Sequence, residues 1–302
     1  MTTTALPPGT HGSDAFAPLR PRLYAIAYRM LGTRADAEDV LQDAWLRWHQ
    51  TDHAVVQSAE AWLVTTVTRL AIDRLRAAKV ERESYVGWWL PEPLVEVDEH
   101  TPEVAAELAS ELSVALMWVL ERLSAEERAA FLLRQVFDRD YDEIAALLGK
   151  SEVACRKVVQ RASERVQEAR VRFDVSQDAH RRVVENFMRA AQSGERDAIQ
   201  ALLADDIELV GDGGGKVAAF LHVVRDVSQI ANLYWSFREQ QSERIVYRTA
   251  FINGQLGLLR YIDGKLESAQ AVATDGERIT GIYAVRNPDK LAHVPDFLGA
   301  SS

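Results

Sequence analysis

The sequence predicts a multidomain chain in which two small all-α domains precede one α+β domain. Three observations carry that expectation. Apolar residues recur at helical spacing through most of residues 15–172. A short helical stretch, a glycine turn and a long basic helix follow one another between Tyr141 and about Arg172. After about Asp174 the pattern changes to two helices and then to alternating runs divided by Asn253-Gly254, Asp263-Gly264 and Asp275-Gly276. At 302 residues the chain is long enough for two or three separate cores.

The first domain is expected over residues 14–82. From Ala15 to Leu31, the residues Phe16, Leu19, Leu23, Ile26, Ala27 and Met30 form one apolar face, and Gly32 stops the helix. A second helix runs from about Asp36 to His49 and buries Val40, Leu41, Ala44, Trp45 and Trp48. Asp36, Glu38, Asp39 and Asp43 crowd its opening turns. Carboxylates there suit the positive end of the helix dipole, so the cluster has a structural explanation beside a functional one as a docking face. After a polar loop at 50–58, a third helix from Ala59 to Val80 buries Trp62, Leu63, Val67, Leu70, Ala71 and Leu75. Its other face and its end carry Arg69, Arg74, Arg76, Lys79 and Arg82, cations suited to a separated nucleic-acid strand.

Residues 83–107 read as an acidic linker. Two prolines in Trp88-Trp89-Leu90-Pro91-Glu92-Pro93 forbid helix and favour extended backbone. Adjacent tryptophans are costly to leave in water, so part of the linker should dock. Residues 83–111 carry a net charge of −8, against +1 for 1–82, +1 for 112–172 and −4 for 173–302. The overall −10 is therefore local and does not argue against nucleic-acid binding.

The second helical domain is expected over 108–172. It starts with a helix from Glu107 to Leu123. Ser124 and Glu127 then form a capping box for a helix reaching about Phe137. Tyr141–Leu148 is short and ends at Gly149, and Ser151 caps a helix running to about Arg172. On that last helix Val153, Val158, Val159 and Val166 should face the preceding helices, while Lys150, Arg156, Lys157, Arg161 and Arg165 supply positive charge. In a helix-turn-helix the start of the second helix reaches base edges and flanking cations hold phosphates. Ser151, Glu152, Arg156, Lys157, Gln160 and Arg161 are the candidates for these contacts, the alternative being a solvated basic face. Cys155 is the only cysteine, which excludes an intrachain disulfide, and it is expected to pack.

The α+β domain is expected over 178–291. Two helices break at Ser193-Gly194, a strand follows at Ile207–Gly211, and the glycine-rich Asp212-Gly-Gly-Gly-Lys216 comes next. A helix lies in the later part of Val217–Arg238. Strands are expected near 243–250, 251–261, 265–274 and 278–286, then a turn-like Asn287-Pro-Asp-Lys-Leu291. Asp212–Lys216 is not a Walker loop, lacking its spacing and the Ser/Thr after Lys. No cofactor or metal is expected. No apolar run approaches the roughly 18 residues of a membrane helix, and the start lacks the regions of a signal peptide. With a single cysteine, these features point to the cytoplasm.

Asp36-Ala-Glu-Asp-Val-Leu-Gln-Asp43, Ala61-Trp-Leu-Val, Arg69-Leu-Ala-Ile-Asp-Arg-Leu-Arg76, Leu123-Ser-Ala-Glu-Glu-Arg128 and Tyr141-Asp-Glu-Ile-Ala-Ala-Leu-Leu-Gly149 resemble, in order and spacing, bacterial RNA polymerase sigma factors of the extracytoplasmic-function class. The resemblance covers residues 14–172 and implies sigma regions 2 and 4. It implies that Asp36, Glu38, Asp39, Gln42 and Asp43 dock on the clamp helices of the β′ subunit of core RNA polymerase, the β subunit being the other partner surface. By the same resemblance Arg69, Arg74, Arg76 and Lys79, with the loop before their helix, read and open the −10 element of promoter DNA. The helix-turn-helix reads the −35 element. Many members have Asn where Arg69 stands.

Trp89-Leu-Pro-Glu-Pro93, Asp212-Gly-Gly-Gly-Lys216 and Asn287-Pro-Asp-Lys-Leu291 are similar to signatures of a subgroup with a SnoaL-like, NTF2-like cone. That similarity implies an extension acting in cis in place of a separate anti-sigma factor. Its contact would use Trp89, Pro91, Glu92, Pro93, Asp212, Gly213, Gly214, Gly215, Lys216, Asn287, Pro288, Asp289 and Lys290, with Lys216 meeting Glu92 or a neighbouring acid. Two other readings of the cone stay open. It could sense a small ligand in a pocket lined by Trp235, Phe237, Tyr247 and Tyr261. It could be an enzyme, although His222, Asp212 and Asp226 form no acid–base motif. The rival for the whole chain is a one-component regulator that binds duplex DNA without polymerase.

Overall fold

The computed structural model of the chain describes residues 15–96, 113–168, 175–240 and 244–294. The chain packs as two compact units, Met1–Glu81 with Leu123–Glu164 and Arg82–Arg122 with Arg165–Ser302. The segment joining the two halves of the first unit thus belongs by packing to the second.

In the first unit, helix α1 (Phe16–Leu31) ends on left-handed Gly32. Helix α2 (Arg34–Gln50) starts two residues before the expected Asp36, because the Thr33 hydroxyl accepts from the Asp36 N–H at 3.3 Å. A single 3-10 turn at His53–Val55 leads to α3 (Ala59–Glu83). Leu23, Ile26, Met30, Leu41, Leu63 and Val67 are buried, as helical spacing requires. Trp45 departs from expectation. It is 41 % exposed and stacks on His49 with ring centres 4.2 Å apart, while Trp48 fills the core.

The segments that follow are α5 (Ala125–Phe131), extended by a π-helical turn at Leu132–Val136, then α6 (Tyr141–Leu148) and α7 (Glu152–Glu168). Ser124 and Glu127 form the expected reciprocal cap, Gly149 is left-handed, and Ser151 accepts from the Ala154 N–H at 3.3 Å. Cys155, Val158, Val159 and Val166 are buried. Val153 is not: it stands 64 % exposed at the start of α7. The continuation of α7 expected to Arg172 lies outside the described residues.

The second unit is built on a six-stranded sheet. After the two-residue β1 (Val95–Glu96) come helices α4 (Val114–Leu120), α8 (Gln177–Ser193) and α9 (Arg196–Ala201), then β2 (Leu203–Asp212) and α10 (Val227–Gln240). The strands β3 (Ile245–Ile252), β4 (Gln255–Ile262), β5 (Lys265–Thr274) and β6 (Ile279–Val285) precede a last turn, α11 (Pro288–Leu291). The order is β1-β3-β4-β5-β6-β2. The expected meander β3 to β6 is present, and Asn253-Gly254 and Asp263-Gly264 turn with positive φ at both residues, as two-residue hairpins prefer. Two strands lie outside that meander. β2 runs parallel to β6, and β1, from the linker, pairs antiparallel with β3. Of the helix expected from Glu107 to Leu123, the described part is α4, which starts at Val114 and is capped by Ser113 through the Leu116 N–H at 3.2 Å. Residues 97–112 lie outside the described residues.

Both sheet faces are covered. On one, α8, α9 and α10 pack Val184, Phe187, Ile199, Ile230 and Tyr234 against Ile207, Tyr247, Leu258, Val272 and Ile282. On the other, linker residue Leu90 and α4 residues Val114, Ala115 and Trp118 cover Val210, Ile252, Leu259, Tyr261, Ala269 and Tyr283. Tyr247 and Tyr261, both expected to line one ligand pocket, therefore sit in different cores, and Trp235 is 40 % exposed. Alternation along β3 and β4 sends neighbouring side chains to opposite faces.

His180 of α8 is buried with both ring nitrogens engaged, by the Leu256 carbonyl at 2.8 Å and the Thr274 hydroxyl at 3.3 Å. Burial pushes its pKa below the ordinary histidine value, so protonation favours the unfolded chain. Its stabilising share is complete above about pH 6.5, the unfolded value, and is lost as pH falls through the window beneath it. Thermal melts should show a lower Tm at pH 5 than at pH 7.5, and His180→Gln should narrow that difference. An unchanged difference would remove His180 from the acid response.

Candidate nucleic-acid interface and linker clamp

The acidic face of α2 is exposed at Glu38, Asp39, Gln42 and Asp43, whereas Asp36 is half-buried. Asp36 accepts from the Thr33 hydroxyl at 2.6 Å and from Arg74 Nε at 2.8 Å, and Asp39 lies 3.5 Å from the same guanidinium. Glu38 pairs with Arg20 at 2.6 Å. Arg74, expected among the −10 readers, thus straps α3 to α2. Lys79 is exposed.

The other two expected −10 readers, Arg69 and Arg76, turn toward the helix-turn-helix. Arg69 donates from Nε to the Leu147 carbonyl and from Nη2 to the Ala146 carbonyl, each at 3.3 Å. Those carbonyls close α6, where backbone acceptors lack helical partners. Arg76 pairs with Glu126 at 2.6 Å, and Lys150 reaches the other oxygen of that carboxylate at 3.1 Å. Lys150 first, with Arg76 adding to it, holds the Glu126 carboxyl below its usual range. Deeper in the same joint Arg128, 1 % exposed, donates to the Met30 carbonyl at 2.7 Å. Arg22 pairs with Glu60 at 2.6 Å, and Arg139 pairs with the same carboxylate.

The start of α7 remains open. Ser151, Glu152, Arg156, Lys157, Gln160 and Arg161 are all exposed. Arg156 lies over the Tyr141 ring at 4.5 Å and 3.4 Å from Glu152, and Gln160 donates to Glu164 at 2.9 Å. These are exposed pairings that a phosphate or a base edge can displace at little cost.

In the second unit the three linker and cone signatures meet at one carboxylate. Asp212 is fully buried at the end of β2. Oδ1 accepts from the Tyr85 hydroxyl at 2.6 Å and the Gly214 N–H at 3.1 Å, and Oδ2 accepts from the Leu90 N–H at 2.9 Å and Lys290 Nζ at 2.7 Å. Lys290 also donates to the Leu90 carbonyl and lies 4.0 Å from the Trp89 ring centre, under the cation–π attraction. Burial lowers the Lys290 pKa while Asp212 opposes the shift, and burial with the Asp212 hydrogen bond raises that of Tyr85. Asn287 donates to the Tyr85 oxygen at 2.9 Å and caps α11 through the Asp289 N–H at 3.1 Å.

The glycines make room for this knot. A Cβ on Gly213 would stand 2.2 Å from the Val217 carbonyl oxygen, and one on Gly214, whose φ is +61°, would stand 2.3 Å from Asn287 Nδ2. The linker continues along the sheet. Leu94 and Asn253 exchange hydrogen bonds of 2.8 and 2.9 Å, and His293 holds the Pro93 carbonyl at 2.9 Å and Glu92 at 3.0 Å. Lys216 does not meet Glu92. It pairs with Asp289 at 2.6 Å, because the turn after β2 carries it toward the start of α11. Tyr85 and His293 stand in no motif and escaped sequence reasoning, while Arg128 and Asn253 lie in quoted motifs whose spacing gave no sign of these contacts.

Among the described residues no cluster of His, Cys, Asp or Glu could hold a metal ion, and no helix is long and apolar enough to cross a membrane. Residues 15–80 match the Sigma-70 region 2 family and residues 113–166 the Sigma-70 region 4 family. The chain is 36 % identical over 292 residues to the ECF RNA polymerase sigma factor SigJ of Mycobacterium tuberculosis, covering 93 % of each. It is 26 % identical to the probable ECF sigma factor SigI of the same organism, covering 92 % of this chain and 94 % of that one. The crystal structure of M. tuberculosis SigJ superposes with a TM-score of 0.75 at 33 % identity, covering 93 % of this chain and 99 % of that one. With helical sigma regions 2 and 4 and a C-terminal α+β sheet domain, the chain belongs to the extracytoplasmic-function RNA polymerase sigma factors, which direct promoter-specific transcription initiation.

Proposed function

We propose that the described first unit is a closed state of this sigma factor, and that its opening is controlled in cis by the linker clamp. In this reading Glu38, Asp39, Gln42 and Asp43 dock on core RNA polymerase in the cytoplasm. Arg69, Arg76 and Lys79 serve the −10 element once released, and α7 serves the −35 element.

The observation that carries the reading is Arg69, whose guanidinium is spent on the last turn of α6. With Nε and Nη2 turned to those carbonyls, the guanidinium faces α6, and it must turn away from α6 to present its full fork of donors to a DNA strand. Distance supports the same conclusion. The two promoter elements lie, by their names, about 25 base pairs or about 85 Å apart along a duplex. A compact body of this size has a radius of gyration of only about 14 Å. The two halves of the unit must therefore part before both elements are read. What joins them is the segment 82–122, whose described parts are pinned to the sheet, residues 85–96 by Asp212, Lys290 and the β1–β3 pairing and α4 by its apolar face. A pinned connector limits how far its ends can separate. The cone then acts as a non-enzymatic brake, and the one-component regulator loses its appeal for a chain of this family.

Three outcomes test this. Asp39→Lys with Asp43→Lys should abolish co-purification with core RNA polymerase while leaving the melting curve in place; retained binding would move the docking face elsewhere. Arg128→Met removes a buried charged hydrogen bond worth about 1.5–3 kcal/mol to the closed packing. Run-off transcription with purified core should rise, and an unchanged yield would sink closure as a brake. Asp212→Leu leaves Lys290 buried without its partner, at a cost of about 3–5 kcal/mol in chemical denaturation. Adding Lys290→Met should recover part of that loss, and the absence of any recovery would show that the pair is not the clamp.

A further inference from the structure

The cone interior is filled by Phe187, Tyr234 and Tyr247, yet a separate cleft of about 690 Å³ opens in the second unit between α4, the start of α8 and the sheet. Its volume suits a small molecule. Trp118 of α4, Phe251 of β3 and Tyr283 of β6 give it aromatic walls. Two guanidiniums lie over those rings, Arg122 at 5.3 Å from the Trp118 centre and Arg181 at 5.9 Å from the Phe251 centre. An arginine lying on a ring keeps its in-plane N–H donors for an anion. Of the carboxylates lining the cleft, Glu208 is taken by Arg225 at 2.7 Å, Asp205 stands 4.0 Å from Arg278, and Asp206 is the third; Glu185, one turn along α8, is 3.9 Å from Arg181. Trp118 adds a buried indole N–H that meets no acceptor.

We infer that this cleft binds a small aromatic anion, a ring system bearing a carboxylate or sulfonate, with the rings against Trp118 and Tyr283 and the charge met by Arg122 and Arg181. Ser113, Trp118 and Arg122 belong to the pinned connector, Arg165 to the end of α7, and Arg181, Phe251 and Tyr283 to the cone. A bound anion therefore ties α4 to the sheet; that consequence alone rests on the proposed cis control, and the binding does not.

The test uses full-length protein titrated with anilinonaphthalene sulfonate, followed by probe fluorescence, with neutral N-phenylnaphthylamine as the second probe. Saturation by the sulfonate at one equivalent is expected, with the neutral probe about tenfold weaker. Arg122→Glu and Arg181→Glu should each weaken the sulfonate about tenfold with unchanged circular dichroism. Trp235→Ala, an exposed tryptophan of α10 outside the cleft, should leave it unaltered. Equal affinity for the two probes, undiminished binding in both arginine variants, or loss on Trp235→Ala would overturn the site. Saturating sulfonate that binds as expected but leaves transcription unchanged would sink only the coupling.

Discussion

A single buried carboxylate organises the second unit. Asp212 has no exposed surface and accepts hydrogen bonds from Tyr85, Leu90, Gly214 and Lys290. A charge taken out of water is tolerable only when every lone pair is answered. Here the donors come from a linker over a hundred residues upstream, from the adjoining glycine turn and from the last helix. The parallel pairing of β2 with β6 brings the ends of both strands together, and the Asp212 carbonyl in turn accepts from the Arg286 and Asn287 N–H groups. Satisfying one carboxylate therefore fixes three segments at once.

The first unit uses one buried cation and several exposed ones in a similar way. Arg128 meets the Met30 carbonyl, Arg69 meets two carbonyls of α6, and Glu126 is shared by Arg76 and Lys150. Arg69 and Arg76 stand on α3, the helix proposed to serve the −10 element. Their energies differ in kind. The exposed pairs contribute little and yield readily to phosphate, whereas the Arg128 bond lies in the core and must be broken for the halves to part. In the proposed reading, closure and DNA reading compete for Arg69 and Arg76, and the buried Arg128 contact is the strongest of those that must be broken.

The linker is a layer of the cone as well as a connector. Leu90, Val114, Ala115 and Trp118 cover a sheet face that would otherwise expose Ile252, Leu259, Tyr261 and Tyr283 to water. In the proposed reading, stability and control rest on the same contacts. Loosening the linker uncovers apolar surface, which gives the docked state its hold.

Much of the chain was legible in its sequence. Helical spacing, the caps at Ser124 and Ser151, the stops at Gly32 and Gly149, and the Asn-Gly and Asp-Gly hairpins are local, and local chemistry alone determines them. The clusters Trp89–Pro93, Asp212–Lys216 and Asn287–Lys290 were legible, through the family resemblance, as parts of one contact. Their pairing was not: Lys216 meets Asp289, and Lys290 rather than Lys216 enters the core. Trp45 and Val153 fit an apolar stripe by spacing yet stand exposed, because the rotation of a helix against its neighbours sets where the stripe ends. Sequence alone determined which elements form and which family they compose. Tertiary structure decided that the linker becomes a strand and a layer of the cone, that Arg69 is held by α6, and that Asp212 is the hub. Those outcomes depend on donors and acceptors far apart in the chain, and periodicity carries no information about which of them will meet.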